Sequence, residues 1–486
     1  MTHQHEGTIL CVNHWHDDNK GDSAITEATV RLVAQRWPGH RIRIVGLQST
    51  DAASLSDSCR NIQRLFPAVT CEPALLPTEL DCMFGDRERH RGRITRAITF
   101  VEAVRWFVRL LPWVAAFLVG RVPAGVSRRL VDADLVVMIG GSNVYDDPDV
   151  RQPFSLARLF TVLYPAWAAQ RLRIPVVAFG HTLGPFDRSP AASLASRVLA
   201  RSSTVVLREE VSLTTAAQLR LGNVRVAPDV AFAVDPHRTP TIDAVLRRLP
   251  AGPRGSLALV VRQHPHGGVE SDRRVLHELA DLATAMLQAG EVEHVLVIVQ
   301  ACGPTQIEDD RSISSQLLAL LPQGRASLIA DDLTAGELAA LYGACRLVVT
   351  VRLHAAILAM VGGTPAYAIS YFTAKTAGVL RGAGLPHAWS THDGFTAAGV
   401  LDQLDVLLSP STRDALATKV IAWRDQLGDE VSRWAMRRPL DRQATTQTTS
   451  GVRGHEREIA PEPPVVPITD AHVPSVPSAS PVPARP

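Results

Sequence analysis

Apolar positions in the first half of the chain fall into short, nearly continuous runs separated by stretches of helical period. GTILCVN (7–13), RIRIVGL (41–47), DLVVMIGG (134–141), IPVVAFG (174–180) and STVVLRE (203–209) are rich in β-branched residues and lack strict polar alternation. Runs of this kind predict strands buried on both faces. Between the first two, DSAITEATVRLVAQRW (22–37) repeats its apolar residues at helical spacing, with Asp22 or Ser23 as the expected cap. Strands that alternate with helices in this way predict a parallel, doubly wound α/β sheet.

A second set follows the connecting stretch PDVAFAVDPHRTP (228–240). SLALVVRQ, HVLVIVQ, ASLIAD and RLVVTV read as its strands and AYAISY as a later one, while the spacing T-A-G-E at 334–337 predicts a capping box opening a helix. The pattern predicts two doubly wound Rossmann-like domains facing a cleft, over residues 1–240 and 241–436. Residues 437–486 lose periodicity, become rich in proline and serine, and are expected to be a disordered tail.

Composition narrows the picture only locally. A net charge of +2, from 50 basic and 48 acidic residues, argues against a nucleic-acid partner, so any anion site must be confined. The six cysteines have no C-x-x-C spacing and the first residues lack signal-peptide character, which together suit a reducing, cytoplasmic setting. Lysine is rare: Lys20, Lys375 and Lys419 are its three occurrences, and a lysine in so arginine-rich a chain marks a place where a compact, tunable ammonium has a use. The stretch ITRAITFVEAVRWFVRLLPWVAAFLVG (94–120) is apolar and aromatic, with arginines at 96, 105 and 109 and an interrupting Pro112. Its charge-free run is too short to span a bilayer. Two readings stand, a helix packed on its own domain and an interfacial helix resting peripherally on the inner membrane face.

The candidate chemistry centres on VVTVRLHAAILAMVGGTPAYAISY (348–371). Ligands of doubly wound sheets sit beyond the carboxyl ends of strands, and a strand-to-helix junction offers unpaired backbone N–H groups and the positive end of a helix dipole to an anion. Arg352 adds a planar fork and His354 a proton-carrying ring. HWHDD (14–18) has residue types that ligate metals, but no third cluster accompanies it, and no metal or cofactor is expected.

RLHAAILAMVGGTPAYAISYFTAK (352–375) resembles the C-terminal signature of the polysaccharide pyruvyl transferase family. NKGDSAI (19–25), GGSNVYDD (140–147), LREEVS (207–212) and APDVAF (227–232) resemble other segments of that family in the same order. Ser142 stands where the family commonly has a third glycine, and about 83–130 reads as an insertion. The resemblance implies a GT-B-like fold, with the N-terminal domain on the acceptor side and the C-terminal domain on the donor side. It also implies a phosphoenolpyruvate-dependent transferase that forms a pyruvate ketal on a sugar of a polysaccharide or lipid-linked saccharide and releases phosphate. A donor with a phosphate and a carboxylate calls for convergent cations, for which Arg208, Arg352 and Arg262 are expected, assisted by Lys375. His354 is expected as general acid or phosphate ligand. Asp22 and the Gly140–Gly141 segment are expected near the substrate hydroxyls, and Asp229 is expected to orient the connection between domains. A nucleotide-sugar glycosyltransferase and a non-catalytic anion-binding scaffold remain as alternatives, because the fold alone does not choose a reaction.

Overall fold

The computed structural model describes residues 7–47, 52–78, 93–148, 150–248, 255–264, 268–305, 308–371 and 373–437. Strands β1 (Gly7–His14), β2 (His40–Gly46), β3 (Thr70–Glu72), β4 (Leu135–Val144), β5 (Val176–Leu183), β6 (Thr204–Leu207) and β7 (Val224–Val226) come from the first half. Strands β8 (Ser256–Val260), β9 (His294–Ile298), β10 (Ala326–Ile329), β11 (Leu347–Thr350), β12 (Ala366–Ser370) and β13 (Trp389–Thr391) come from the second. They form two sheets, ordered β3-β2-β1-β4-β5-β6-β7 and β10-β9-β8-β11-β12-β13. Within both sheets every pairing is parallel. The architecture is the expected one of two Rossmann-like halves in a GT-B-like arrangement. The strand order reverses between β1 and β4 and again between β8 and β11, which opens a crevice beyond the strand ends at each reversal.

Burial on both faces explains the unbroken apolar runs. All eight residues of β1 are buried. Side chains alternate along it: Ile9 and Cys11 join the core facing the second half, while Leu10 and Val12 join a separate core on the outer face of the first sheet. The inner core is continuous through the helices Lys20–Arg36 and Leu353–Val361 and the short turn Val230–Ala233 into the second sheet. The last helix, Pro410–Ser432, leaves the second half and docks on the first. Trp423 packs 4.4 Å from Phe232, Trp434 meets Phe179 edge-on at 4.8 Å, and Arg424 Nε donates to the Phe232 carbonyl at 3.0 Å.

The capping box forms as expected, with Thr334 and Glu337 bonded reciprocally at the start of Ala335–Gly343. The first helix departs from expectation. Its cap is Asn19, whose side-chain oxygen accepts from the Gly21 amide, and Asp22 lies inside the first turn, where a carboxylate complements the dipole. Helix Arg93–Leu118 runs through Pro112 and, with Ala124–Leu130, lies between β3 and β4. Residues 83–92 of the expected insertion and 438–486 of the expected tail lie outside the described residues.

Candidate functional site

Each half sends its strand ends toward the same cleft. In the first half the chain after β1 crosses to the second half before entering its helix. Asn19 makes an isolated antiparallel bridge with Ala301, and the side chains of Trp15 and Asn19 donate to Glu308 at 3.2 and 3.0 Å. Lys20 pairs with Asp332 at 2.5 Å, and Arg60 spans Asp18 and Asp332. The rare Lys20 is therefore taken up in joining the halves. HWHDD is absorbed by packing: His14 is bonded through both ring nitrogens, to Thr26 Oγ1 and the Ser58 carbonyl, and Asp17 accepts from the Asn61 and Ile62 amides.

The glycine-rich segment forms the opposite wall. A Cβ on Gly140 would stand 2.2 Å from the Gly180 carbonyl oxygen, so β4 and β5 approach closely only because the side chain is missing. Gly141 has φ 136°, in the region that favours glycine, and the open space over its Cα is bounded by Asn143 and Asp22. The next residue, Ser142, gathers charge. Its hydroxyl oxygen accepts from Arg208 Nη2 at 2.7 Å and from Lys375 Nζ at 2.9 Å, so cations from opposite halves meet on one oxygen.

Arg208, beyond the end of β6, is buried and held on three sides. Nε donates to Thr182 Oγ1 at 2.8 Å and Nη1 to Asp229 Oδ2 at 3.0 Å, with Glu209 3.3 Å away. Asp229 accepts from the Ala231 amide through its other oxygen, capping the turn Val230–Ala233. It thus serves both the connection between domains and the arginine. Burial alone would push its carboxyl up, but Arg208 and then His354 outweigh that and hold it well below the usual carboxylate range.

From the second half, Arg352 is the N-cap of helix Leu353–Val361 and places His354 in the first turn. His354 Nε2 lies 3.7 Å from Asp229 Oδ2, beyond hydrogen-bond reach, and is buried without a hydrogen-bond partner. The ring rests against the backbone of Gly21, where a Cβ would meet Nδ1 at 2.4 Å. Glycine at 21 therefore fixes where the imidazole sits. Gly21→Ala suits the helical backbone but pushes the ring from its seat. The expected result is a folded protein with turnover reduced roughly 10- to 100-fold, as misplacement of a reacting group costs. Circular dichroism beside turnover assays checks it, and wild-type turnover would contradict it.

Arg352 itself does not present an open fork. Its Nε and Nη2 close on Asp310 at 2.5 and 2.6 Å, and Nη2 also donates to the Glu308 carbonyl at 2.8 Å. Asp310 and Glu308 both have carboxyls raised by burial, with Arg352 pulling them back down. Arg262, beyond β8, donates to the Tyr371 hydroxyl and stacks 4.9 Å over its ring, leaving its buried Nε without a partner. Lys375 is different in kind: burial first, and then Arg208, pull its ammonium down to about 7. Asp22 moves the other way, raised by burial against His354 and Arg208. Together Asp22, Gly141, Arg208, His354 and Lys375 surround one space, Arg262 stands behind Tyr371, and Arg352 braces the loop at 308–310. Ser142, Thr182 and Asp310 are the members that sequence reasoning did not single out as participants.

A family model described as polysaccharide pyruvyl transferase matches residues 19–371. The amylovoran biosynthesis protein AmsJ of Erwinia amylovora is 30% identical over 299 residues, covering 57% of this chain and 68% of that protein. Among solved structures, a candidate UDP-N-acetylglucosamine 2-epimerase of Listeria monocytogenes aligns with a TM-score of 0.51 at 12% identity, over 85% of this chain and 90% of that one. Anabaena HepE, solved with UDP and glucose, aligns with a TM-score of 0.49 at 14% identity, over 91% and 99%. At such identities the likeness to the epimerase is one of fold.

Proposed function

We propose, since the chain belongs to the polysaccharide pyruvyl transferase family, that it takes phosphoenolpyruvate as donor and closes a pyruvate ketal across two hydroxyls of a saccharide, releasing phosphate. The atoms balance without a cofactor. The enol methylene gains a proton and becomes a methyl group, one hydroxyl oxygen bonds to the central carbon, and the second displaces phosphate from it. The two hydroxyl protons account for the one placed on the methyl carbon and the one given up as phosphate leaves.

Residues around the cleft match these demands. Arg208 and Lys375 supply positive charge from opposite halves, and the N-terminus of Leu353–Val361 adds unpaired amides, the set a small donor with two anionic groups requires. His354, with an unspent ring nitrogen, is the proton donor to the methylene. Asp22, made more basic by burial, takes the proton of a sugar hydroxyl. Arg352 acts from behind by fixing the loop that carries Glu308 and Asp310, and Arg262 adds its charge through Tyr371. The acceptor is a saccharide, polymeric or lipid-linked, approached from the N-terminal half.

The observation that carries this reading is the meeting of two cations from opposite halves on Ser142 beside an imidazole whose Nε2 faces Asp229 at 3.7 Å without a hydrogen bond. Phosphate release from phosphoenolpyruvate, followed with and without a saccharide fraction, tests it. The expected result is acceptor-dependent release together with a new ketal methyl signal in the proton NMR spectrum. Sugar transfer from a nucleotide sugar, with phosphoenolpyruvate inert, would overturn it.

Lys375 gives the donor site a pH dependence whose sign is fixed. Below about 7 the ammonium is already charged when the donor arrives; above it, the amine must take up a proton on binding. The KM for phosphoenolpyruvate should therefore climb with pH above about 7, by up to roughly tenfold per unit. Lys375→Arg, which stays charged, should flatten this limb. A KM that is level from neutrality to mildly alkaline pH in the wild type would contradict the assignment.

A further inference from the structure

We propose that the outer face of helix Arg93–Leu118 seats the protein on an anionic lipid surface. The helix is apolar on two sides that do different things. Trp106 and Leu110 are buried, and Phe107, Trp113 and Phe117 pack against Phe154, Tyr164 and Trp167 of helix Gln152–Arg171, at ring distances of 6.2, 6.0 and 4.8 Å. Trp106 Nε1 also donates to the Pro77 carbonyl at 3.0 Å. That side fully explains the attachment of the helix to its own domain.

The other side is largely uncovered, with the Phe100 ring meeting Phe154 edge-on at 6.3 Å at its start. Phe100, Val101, Val104, Val108, Leu111, Leu118 and Val119 are exposed, Val108 by 55% and Leu118 by 73%. At ~100° per residue these seven positions fall in one sector roughly 100° wide, opposite the packed side, and run about 28 Å along the axis. They are seven of the fourteen large apolar side chains exposed among the described residues. Scattered single residues would need no explanation, but half of them on one helix face marks an interaction surface.

Charge identifies the partner. The exposed Arg105 and Arg109 lie about 40° and 80° beyond one edge of this sector, on the flank that also carries Glu102, the single acidic residue of the helix, and Arg121 and Arg128 are exposed after the helix end. An apolar stripe with arginines along one flank and after its end suits a bilayer with anionic headgroups, apolar side down and guanidinium groups at the phosphate level. No helix among the described residues is long and apolar enough to cross a membrane, so this helix lies in the plane of the interface. The surface stands apart from the donor chemistry and does not depend on it.

Flotation of the full chain with phosphatidylcholine vesicles, with and without phosphatidylglycerol, tests the proposal. The expected result is flotation with the mixed vesicles that weakens as salt is raised. Val108→Gln with Leu111→Gln should lower partitioning by roughly tenfold or more without altering the thermal melt, since both side chains are already exposed. Arg105→Gln with Arg109→Gln should remove the preference for phosphatidylglycerol. A wild-type protein that stays at the bottom with both vesicle types would overturn the proposal, as would the Val108/Leu111 double variant floating like wild type. So would a stable dimer in solution that this double variant dissociates, since the face would then belong to a second copy of the chain.

Discussion

His354→Gln is expected to lower kcat by about 10²–10⁴-fold while the KM for phosphoenolpyruvate changes little, the range for removing a positioned proton donor and leaving donor binding intact. The ring is held by Gly21 on one side and faces Asp229 at 3.7 Å on the other, and its Nε2 has no hydrogen-bond partner to lose. In the proposed reading donor charge is met elsewhere, by Arg208, Lys375 and the helix N-terminus. Glutamine keeps a polar group of similar reach but carries no transferable proton at neutral pH. A rise in KM with kcat unchanged would make His354 a phosphate ligand instead. Steady-state constants for His354→Gln and His354→Ala, measured with the same acceptor, separate the two roles.

Arg208→Ala removes the side chain that ties Thr182, Ser142 and Asp229 together. Loss of a buried charged partner from the donor cleft should weaken transition-state binding by about 2–4 kcal/mol. Because buried Asp229 loses its main counter-charge and keeps only the Ala231 amide and His354 at 3.7 Å, the same change should also cost folding stability on the order of 3–5 kcal/mol. Arg208→Lys distinguishes site from scaffold. It keeps the charge near Asp229 and so should recover much of the stability, yet a single ammonium cannot reach three partners in one plane, and donor affinity should stay low. Urea unfolding alongside donor titration checks this. Recovery of donor affinity in Arg208→Lys would show that charge alone, and not the fork, is what the site uses.

Much of this frame was legible in the chain because burial on both faces writes a parallel strand as an apolar run. β1, β4, β5, β8, β9 and β11 are such runs. β3, β7 and β13 are edge strands of three residues, and TCE, VRV and WST hold too few positions to establish any period. The start of the first helix was misplaced because Asn19, Asp22 and Ser23 are all good capping residues, and the choice among them was made by contacts with the second half at Ala301 and Glu308. The same limit applies at the site. Gly140, Gly141, Arg208, His354 and Lys375 stand out through local motifs, but Arg352 closes on Asp310, 42 residues away, and Ser142 is joined to Lys375, 233 residues away. Partner choices over such separations leave no local pattern. The helix at 93–118 shows the reverse case: its apolar character was plain, but with two apolar faces the sequence did not say which one the protein covers.

Whether this cleft holds phosphoenolpyruvate is decided by calorimetric titration of the purified full chain with phosphoenolpyruvate and, separately, with UDP-glucose. Saturable binding of phosphoenolpyruvate is expected, weakened at least roughly tenfold by Arg208→Lys, with no saturable heat from UDP-glucose. Saturable binding of UDP-glucose without binding of phosphoenolpyruvate would contradict this expectation.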